Sequence, residues 1–238
     1  MLRLYSLPVD PNAANAVGYR EQQSSVYVAV KTVFAVPTTL TSCSLAYELG
    51  YWIGLGGSDT TGPYRGRDLV QQGVECGNTD VGSGYSHRPF SQLANTFGAL
   101  PFCGYNSWTI PTGHVVYQNM SFQTSSNTAC FYLEDETTGV IHSCHAVPGS
   151  PWHWDLNTAE WVAEAPTGGA LNFGSIRFTD ANAELGSTST WVTLGSQAPI
   201  TELADGYTSS TYCIAPGAIG SDRASFTDSW IRTDCGFP

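Results

Sequence analysis

The sequence predicts an all-β fold of antiparallel sheets with little helix, and three observations carry that expectation. Short segments alternate apolar with polar residues, as strands with one buried face do. Thirteen prolines and 25 glycines, with frequent Ser/Thr/Asn/Asp clusters, interrupt the chain at short intervals. Few windows show the i, i+3, i+4 apolar repeat of an amphipathic helix.

In chain order, strands are expected in VYVAVKTVFAVP, HVVYQNMSFQT, ACFYLED, GVIHSCHAV, SIRFTDA and TWVTL. SCSLAYELGY, residues 42–51, is the stretch that could turn helically once or twice. Gly/Ser/Thr-rich pieces such as GSDTTGPYRG and LADGYTSSTY are too short for interdomain linkers and read as loops over one core. At 238 residues, a single domain over 1–238 is expected, and many strands between turns form a sandwich or a barrel.

Charged residues are only 12% of the chain, about half the ~25% usual in soluble domains. The net charge of −11, from 9 basic and 20 acidic residues, excludes nucleic acid and anionic membrane as partners, since both need basic patches. Acid unfolding proceeds mainly by protonating carboxylates paired in the native state, so a fold with few cations has less to lose at low pH. Composition thus permits acid tolerance.

The seven cysteines lack CxxC spacing, which points to disulfides in an oxidising compartment with at least one thiol unpaired. Cys130 and Cys144 flank a Glu136-Thr137-Thr138-Gly139 turn, and a register centred near Thr137 predicts a disulfide between them. Residues 1–19 carry no basic start followed by an apolar core, and no run reaches the ~18 apolar residues of a membrane span. If the chain is exported, its leader has been removed. Asn119-Met120-Ser121 is a glycosylation sequon.

Generic hydrolase signatures are absent: no GxSxG elbow, no HExxH, and only Asp59-Thr60-Thr61-Gly62 approaches the Asp-Thr-Gly of aspartic proteases, at the wrong spacing. His142, Cys144 and His145 suggest a metal, but in a strand His145 faces away from the other two, so no metal or cofactor is expected.

Two segments are more specific. Tyr51-Trp52-Ile53-Gly54-Leu55-Gly56-Gly57 is followed after a loop by Leu69-Val70-Gln71-Gln72-Gly73-Val74-Glu75. Later come Ala159-Glu160-Trp161-Val162-Ala163-Glu164-Ala165-Pro166 and Leu171-Asn172-Phe173-Gly174-Ser175-Ile176-Arg177-Phe178. These segments, in this order, resemble the eqolisins, the glutamic peptidases, in their bacterial-type form. The resemblance implies a two-sheet antiparallel β-sandwich of the concanavalin or lectin-like type. It also implies an endopeptidase acting on polypeptides in acid, with Gln71 and Glu164 catalytic. Trp52 and Trp161 read first as core aromatics and second as cleft walls contacting substrate, Glu160 reads as a supporting, substrate-contacting or solvated carboxylate, and the chain is expected to be a secreted monomer. The chain departs from the pattern at Asn15-Ala16-Val17-Gly18-Tyr19, which lacks a tryptophan, and at Gly56, where fungal members carry aspartate. Its subsites are therefore expected to differ.

Strand phase gives independent support. Val70 and Val74 share one face, and Gln71, Gly73 and Glu75 the other. Trp161, Ala163 and Ala165 lie opposite Glu160, Val162 and Glu164. Gln72 then falls on the core side, where its amide needs partners. The residue types suit the chemistry: a carboxylate can take a proton from water and return it to an amine, and a glutamine amide donates at any pH. A competing reading is a carbohydrate- or peptide-binding sandwich without catalysis, with Pro151-Trp152-His153-Trp154-Asp155 as an aromatic platform.

Overall fold

The computed structural model describes residues 9–10, 16–22, 26–40, 49–56, 68–76, 87–95, 98–101, 103, 108–148, 156–164, 172–186, 188–196, 200–203 and 213–232. No helix occurs among them. The strands are β1 (Val9–Asp10), β2 (Ala16–Gln22), β3 (Tyr27–Ala35), β4 (Leu49–Gly56), β5 (Leu69–Cys76), β6 (His87–Asn95), β7 (Gly98–Pro101) and β8 (Val115–Gln123). They continue as β9 (Thr128–Asp135), β10 (Val140–Ala146), β11 (Thr158–Glu164), β12 (Ser175–Leu185), β13 (Thr190–Thr193), β14 (Ile200–Leu203), β15 (Ile214–Pro216) and β16 (Phe226–Trp230). All six expected strands form. Of the stretch read as a possible helical turn, Leu49, Gly50 and Tyr51 open β4, and the rest lies outside the described residues.

Two sheets result. The first runs β1-β14-β2-β11-β4-β5-β6-β7, and the second β10-β9-β8-β3-β12-β16-β15 with β13 against β12. Every pairing is antiparallel except β1 with β14. The sheets pack face to face around one apolar core because each contributes one buried phase. Tyr51 and Ile53 from the first sheet and Phe34, Met120 and Phe178 from the second are essentially inaccessible to solvent. Tyr51 packs against Phe34 and Phe173, with ring centroids 6.0 and 5.7 Å apart, joining the layers.

Among the described residues, hydrogen bonds also cross the core. Trp161 Nε1 donates to the Lys31 carbonyl at 2.9 Å, and Gln72 Nε2 to the Tyr132 carbonyl at 2.6 Å. The core-facing amide of Gln72 is thereby partly satisfied, while its Oε1 remains unpaired.

The expected Cys130–Cys144 disulfide is not formed. Asp135 pairs with Val140 and leaves four residues in the turn, so the hairpin centre falls between Thr137 and Thr138. Asp135 holds that geometry: its carbonyl accepts from Thr138 N and Gly139 N, its carboxylate from Thr137 N, and Gly139 supplies φ +72°. The slip sets Cys144 opposite Phe131 and Cys130 opposite His145, placing the two thiols on opposite faces. Cys144 instead bonds Cys103, with Cα atoms 5.7 Å apart, and Cys130 is free. Cys76 and Cys213 are also disulfide-bonded. With Cys144 oxidised, the His142/Cys144/His145 metal reading loses its thiolate.

Candidate active site

The outward face of the first sheet collects the predicted residues. In β4, Leu49, Tyr51, Ile53 and Leu55 point into the core, so Gly50, Trp52, Gly54 and Gly56 point out. In β5, Val70, Val74 and Cys76 are core residues, which turns Gln71, Gly73 and Glu75 outward. Ala159, Trp161 and Ala163 of β11 are likewise inside, with Glu160, Val162 and Glu164 outside. Gln71, Trp52, Glu160 and Glu164 therefore share one face. Trp161 does not: it is fully buried between the sheets, so its expected substrate contact is corrected to a core role.

Register arranges this face in rows. Gly54 pairs with Glu160 on one side and Gln71 on the other. Gly50 pairs with Glu164 and with Glu75, and Glu75 pairs with Arg88. Between these rows run Val162, Trp52, Gly73 and Phe90. At ~4.8 Å per strand and ~3.3 Å per residue, Gln71 Cα lies about 10 Å from Glu160 Cα and about 16 Å from that of Glu164.

Trp52 fills the space between the rows. Its indole lies along β4, with Cδ1 3.5 Å from where a Gly50 Cβ would stand and Cζ3 2.8 Å from the corresponding point at Gly54. A Cβ at Gly73 would come within 2.6 Å of Trp52 Cβ. Three glycines thus give the indole room to lie flat against the sheet. Val162, Leu69 and Phe90 complete a small apolar cluster around it.

The polar groups are held from several directions. Trp52 Nε1 donates to Glu164 Oε2 at 2.9 Å. Glu160, 7% exposed, pairs with Arg20 of β2, whose Nη1 lies 3.9 Å from Oε1. Glu164 is half-buried and Gln71 is 6% exposed. Arg20 and Arg88 were not singled out in the sequence, and Glu75 was placed on the Gln71 face without a role. Their signal was strand phase: Arg20 follows Tyr19, which points into the core, and Glu75 follows Val74.

Gly18 of the departing N-terminal motif has a local reason. It adopts φ +144°, and a Cβ there would collide with the Trp161 carbonyl oxygen, so only glycine lets β2 close on β11. Pro151-Trp152-His153-Trp154-Asp155 lies outside the described residues. Among the described residues, no three His, Cys, Asp or Glu side chains form a group that could hold a metal ion.

The fold is similar to those of known glutamic peptidases. Scytalido-glutamic peptidase, solved with a transition state analog inhibitor, aligns over 92% of this chain and 98% of its own, with 17% identity and a TM-score of 0.65. SCP-B, a member of the eqolisin family solved with the tripeptide Ala-Ile-His, covers the same shares at 17% identity and a TM-score of 0.60. Aspergilloglutamic peptidase from Aspergillus niger aligns over 78% of this chain and 99% of its own, at 20% identity and a TM-score of 0.57. No curated protein matches the chain by sequence. A sequence model of the Peptidase A4 family, the eqolisins, matches residues 14–218. The chain therefore belongs to the Peptidase A4 family and is a peptide hydrolase.

Proposed function

We propose that the chain is an acid-acting endopeptidase in which Glu164 activates water and Gln71 stabilises the oxyanion. The supporting observation is that both stand on one sheet face with Trp52 between their rows and bonded to Glu164. Their Cα atoms stand ~16 Å apart and each side chain reaches about 5 Å, so with the Trp52 indole filling the row between them the gap is bridged over the indole, by the scissile carbonyl on the Gln71 side and its attacking water on the Glu164 side.

Ionised Glu164 takes a proton from that water as the oxygen attacks the scissile carbonyl. The C=O π pair moves to oxygen, where the Gln71 amide N–H meets the charge, a contribution of about 3 kcal/mol for a well-placed donor. On collapse the C–N bond breaks, and Glu164 returns the proton to the leaving nitrogen. Gln71 does not titrate, so the donor survives in acid, and the Trp52 bond holds the Glu164 carboxylate in place.

One observation favours a second reading. Glu160, not Glu164, shares a row with Gln71 across Gly54, which has no side chain to separate them. Arg20 Nη1 lies 3.9 Å from the Glu160 carboxylate and Trp52 Nε1 bonds that of Glu164 at 2.9 Å, so neighbours alone do not choose between the two. Digestion of a denatured protein at about pH 2–6 by the wild type, Glu164→Gln and Glu160→Gln decides, since that range brackets glutamate's ordinary ~4.3. Loss of turnover in Glu164→Gln with appreciable activity in Glu160→Gln supports the first reading, and the reverse supports the second. Retention of full activity in both removes the carboxylate mechanism. We further propose export to an oxidising compartment, supported by the Cys103–Cys144 bridge and the bonded state of Cys76 and Cys213.

A further inference from the structure

The outward face of the second sheet carries a groove of about 300 Å³, at the lower end of the ~300–1,000 Å³ typical of small-molecule sites. Its origin is one cross-strand row. His145, Cys130, Ser121, Ala29, Glu184 and Trp191 are successive register partners across β10, β9, β8, β3, β12 and β13. The three central residues are small, and the outer ones are large. The result is a trough about 19 Å long from His145 to Glu184, four strand spacings apart. Tyr132 and Asn119, register partners in β9 and β8, form one flank, with Ser143 beside them. The Trp191 indole, 39% exposed, stands at the far end.

The lining restricts what can bind. It contains no Lys or Arg, nearby Lys31 is held by Asp180 at 2.7 Å and lies 5.1 Å over the Trp191 ring, and the Glu184 carboxylate shares the row with His145, so an anion meets a carboxylate and no unpaired Lys or Arg. An apolar ligand would bury Asn119, Ser121 and Glu184 without hydrogen-bond partners. A peptide strand cannot add here, because the strands beneath are paired on both sides except at the β10 and β13 edges. A cation at the Trp191 end would be repelled by the Lys31 ammonium already seated over that ring, and what remains is a neutral ligand with many hydroxyls and an apolar ring face. Hydroxyls match the amide, hydroxyl and carboxylate groups of the trough, and C–H faces match Trp191 and Tyr132.

We propose that this groove binds a neutral oligosaccharide of two or three sugar units, on the face opposite the peptidase site. The occupant would tether the enzyme to carbohydrate without touching Gln71 or Glu164. Because no residue of the groove belongs to the peptidase face, the proposal stands or falls independently of the catalytic assignment.

The test uses protein made in a host that does not N-glycosylate, since a glycan on Asn119 would fill the trough itself. Titration calorimetry with cello-, malto-, manno- and chito-oligosaccharides should show at least one binding with Kd between about 10 μM and 1 mM. Trp191→Ala and Asn119→Ala should each weaken it tenfold or more while leaving casein cleavage unchanged. The bound oligosaccharide should also slow alkylation of Cys130 by iodoacetamide, because that thiol lies in the trough floor. No binding by any member up to about 10 mM overturns the proposal, as does binding insensitive to both substitutions or without protection of Cys130.

Discussion

Trp52 Nε1 and Glu164 Oε2 are joined by a 2.9 Å hydrogen bond across the β4–β11 pair, so the indole that floors the candidate active site also orients its half-buried carboxylate. Trp52→Phe keeps an aromatic ring over Gly50 and Gly54 but removes the donor. Its loss frees the carboxylate from its fixed position, so kcat should fall on the order of tenfold or more with a smaller change in KM. An unchanged kcat would mean that the bond does not act on catalysis.

Gln71→Ala removes the proposed oxyanion donor, and kcat should fall on the order of a hundredfold, with a smaller effect on KM. A change confined to KM would instead assign Gln71 to ground-state substrate binding.

Gly73→Ala should be among the most damaging small substitutions. An added methyl would meet the Tyr51 carbonyl oxygen and lie 2.6 Å from Trp52 Cβ and 2.8 Å from its Cα, all on the paired strand. Relief requires separating β4 from β5, at a cost of roughly 1–3 kcal/mol or more. Gly139→Ala has nothing within 4 Å of its Cβ and is a control for the positive-φ penalty alone. Urea unfolding midpoints should rank Gly73→Ala well below Gly139→Ala.

His87 gives a sign to the acid stability. It is 4% exposed, and burial lowers its pKa from 6.5 to about 4. Between those values the unfolded chain binds a proton that the folded chain does not, so stability falls as pH drops through this window and is unaffected above it. The full loss is on the order of 3 kcal/mol. His87→Leu should flatten the dependence of the urea midpoint on pH between about 6.5 and 4. An unchanged slope would show that His87 takes up its proton in the folded chain as readily as in the unfolded one.

The cysteine assignment is checked directly. Alkylation of the folded, unreduced protein should label Cys130 and spare Cys103 and Cys144, and peptide mapping should recover those two joined. Recovery of Cys130 joined to Cys144 would require the β9–β10 hairpin to slip by one residue.

The sequence by itself determined the strand phases. Alternation in LVQQGVEC and TAEWVAE put Gln71, Glu160 and Glu164 on the outward face and Trp161 on the inward one, because successive side chains on a strand point to opposite sides whatever the partner. The turn clusters likewise marked where strands end. Register was decided only in the tertiary structure. Which residues of β4, β5 and β11 stand opposite one another depends on the packing of Tyr51, Val74 and Trp161 against the second sheet, contacts that no local pattern encodes. The same holds for the hairpin, where the hydrogen bonds that Asp135 accepts fixed a four-residue turn and moved Cys144 from Cys130 to Cys103. Phase is a property of one chain segment, whereas register is a property of two, and its energy comes from contacts between residues distant in sequence.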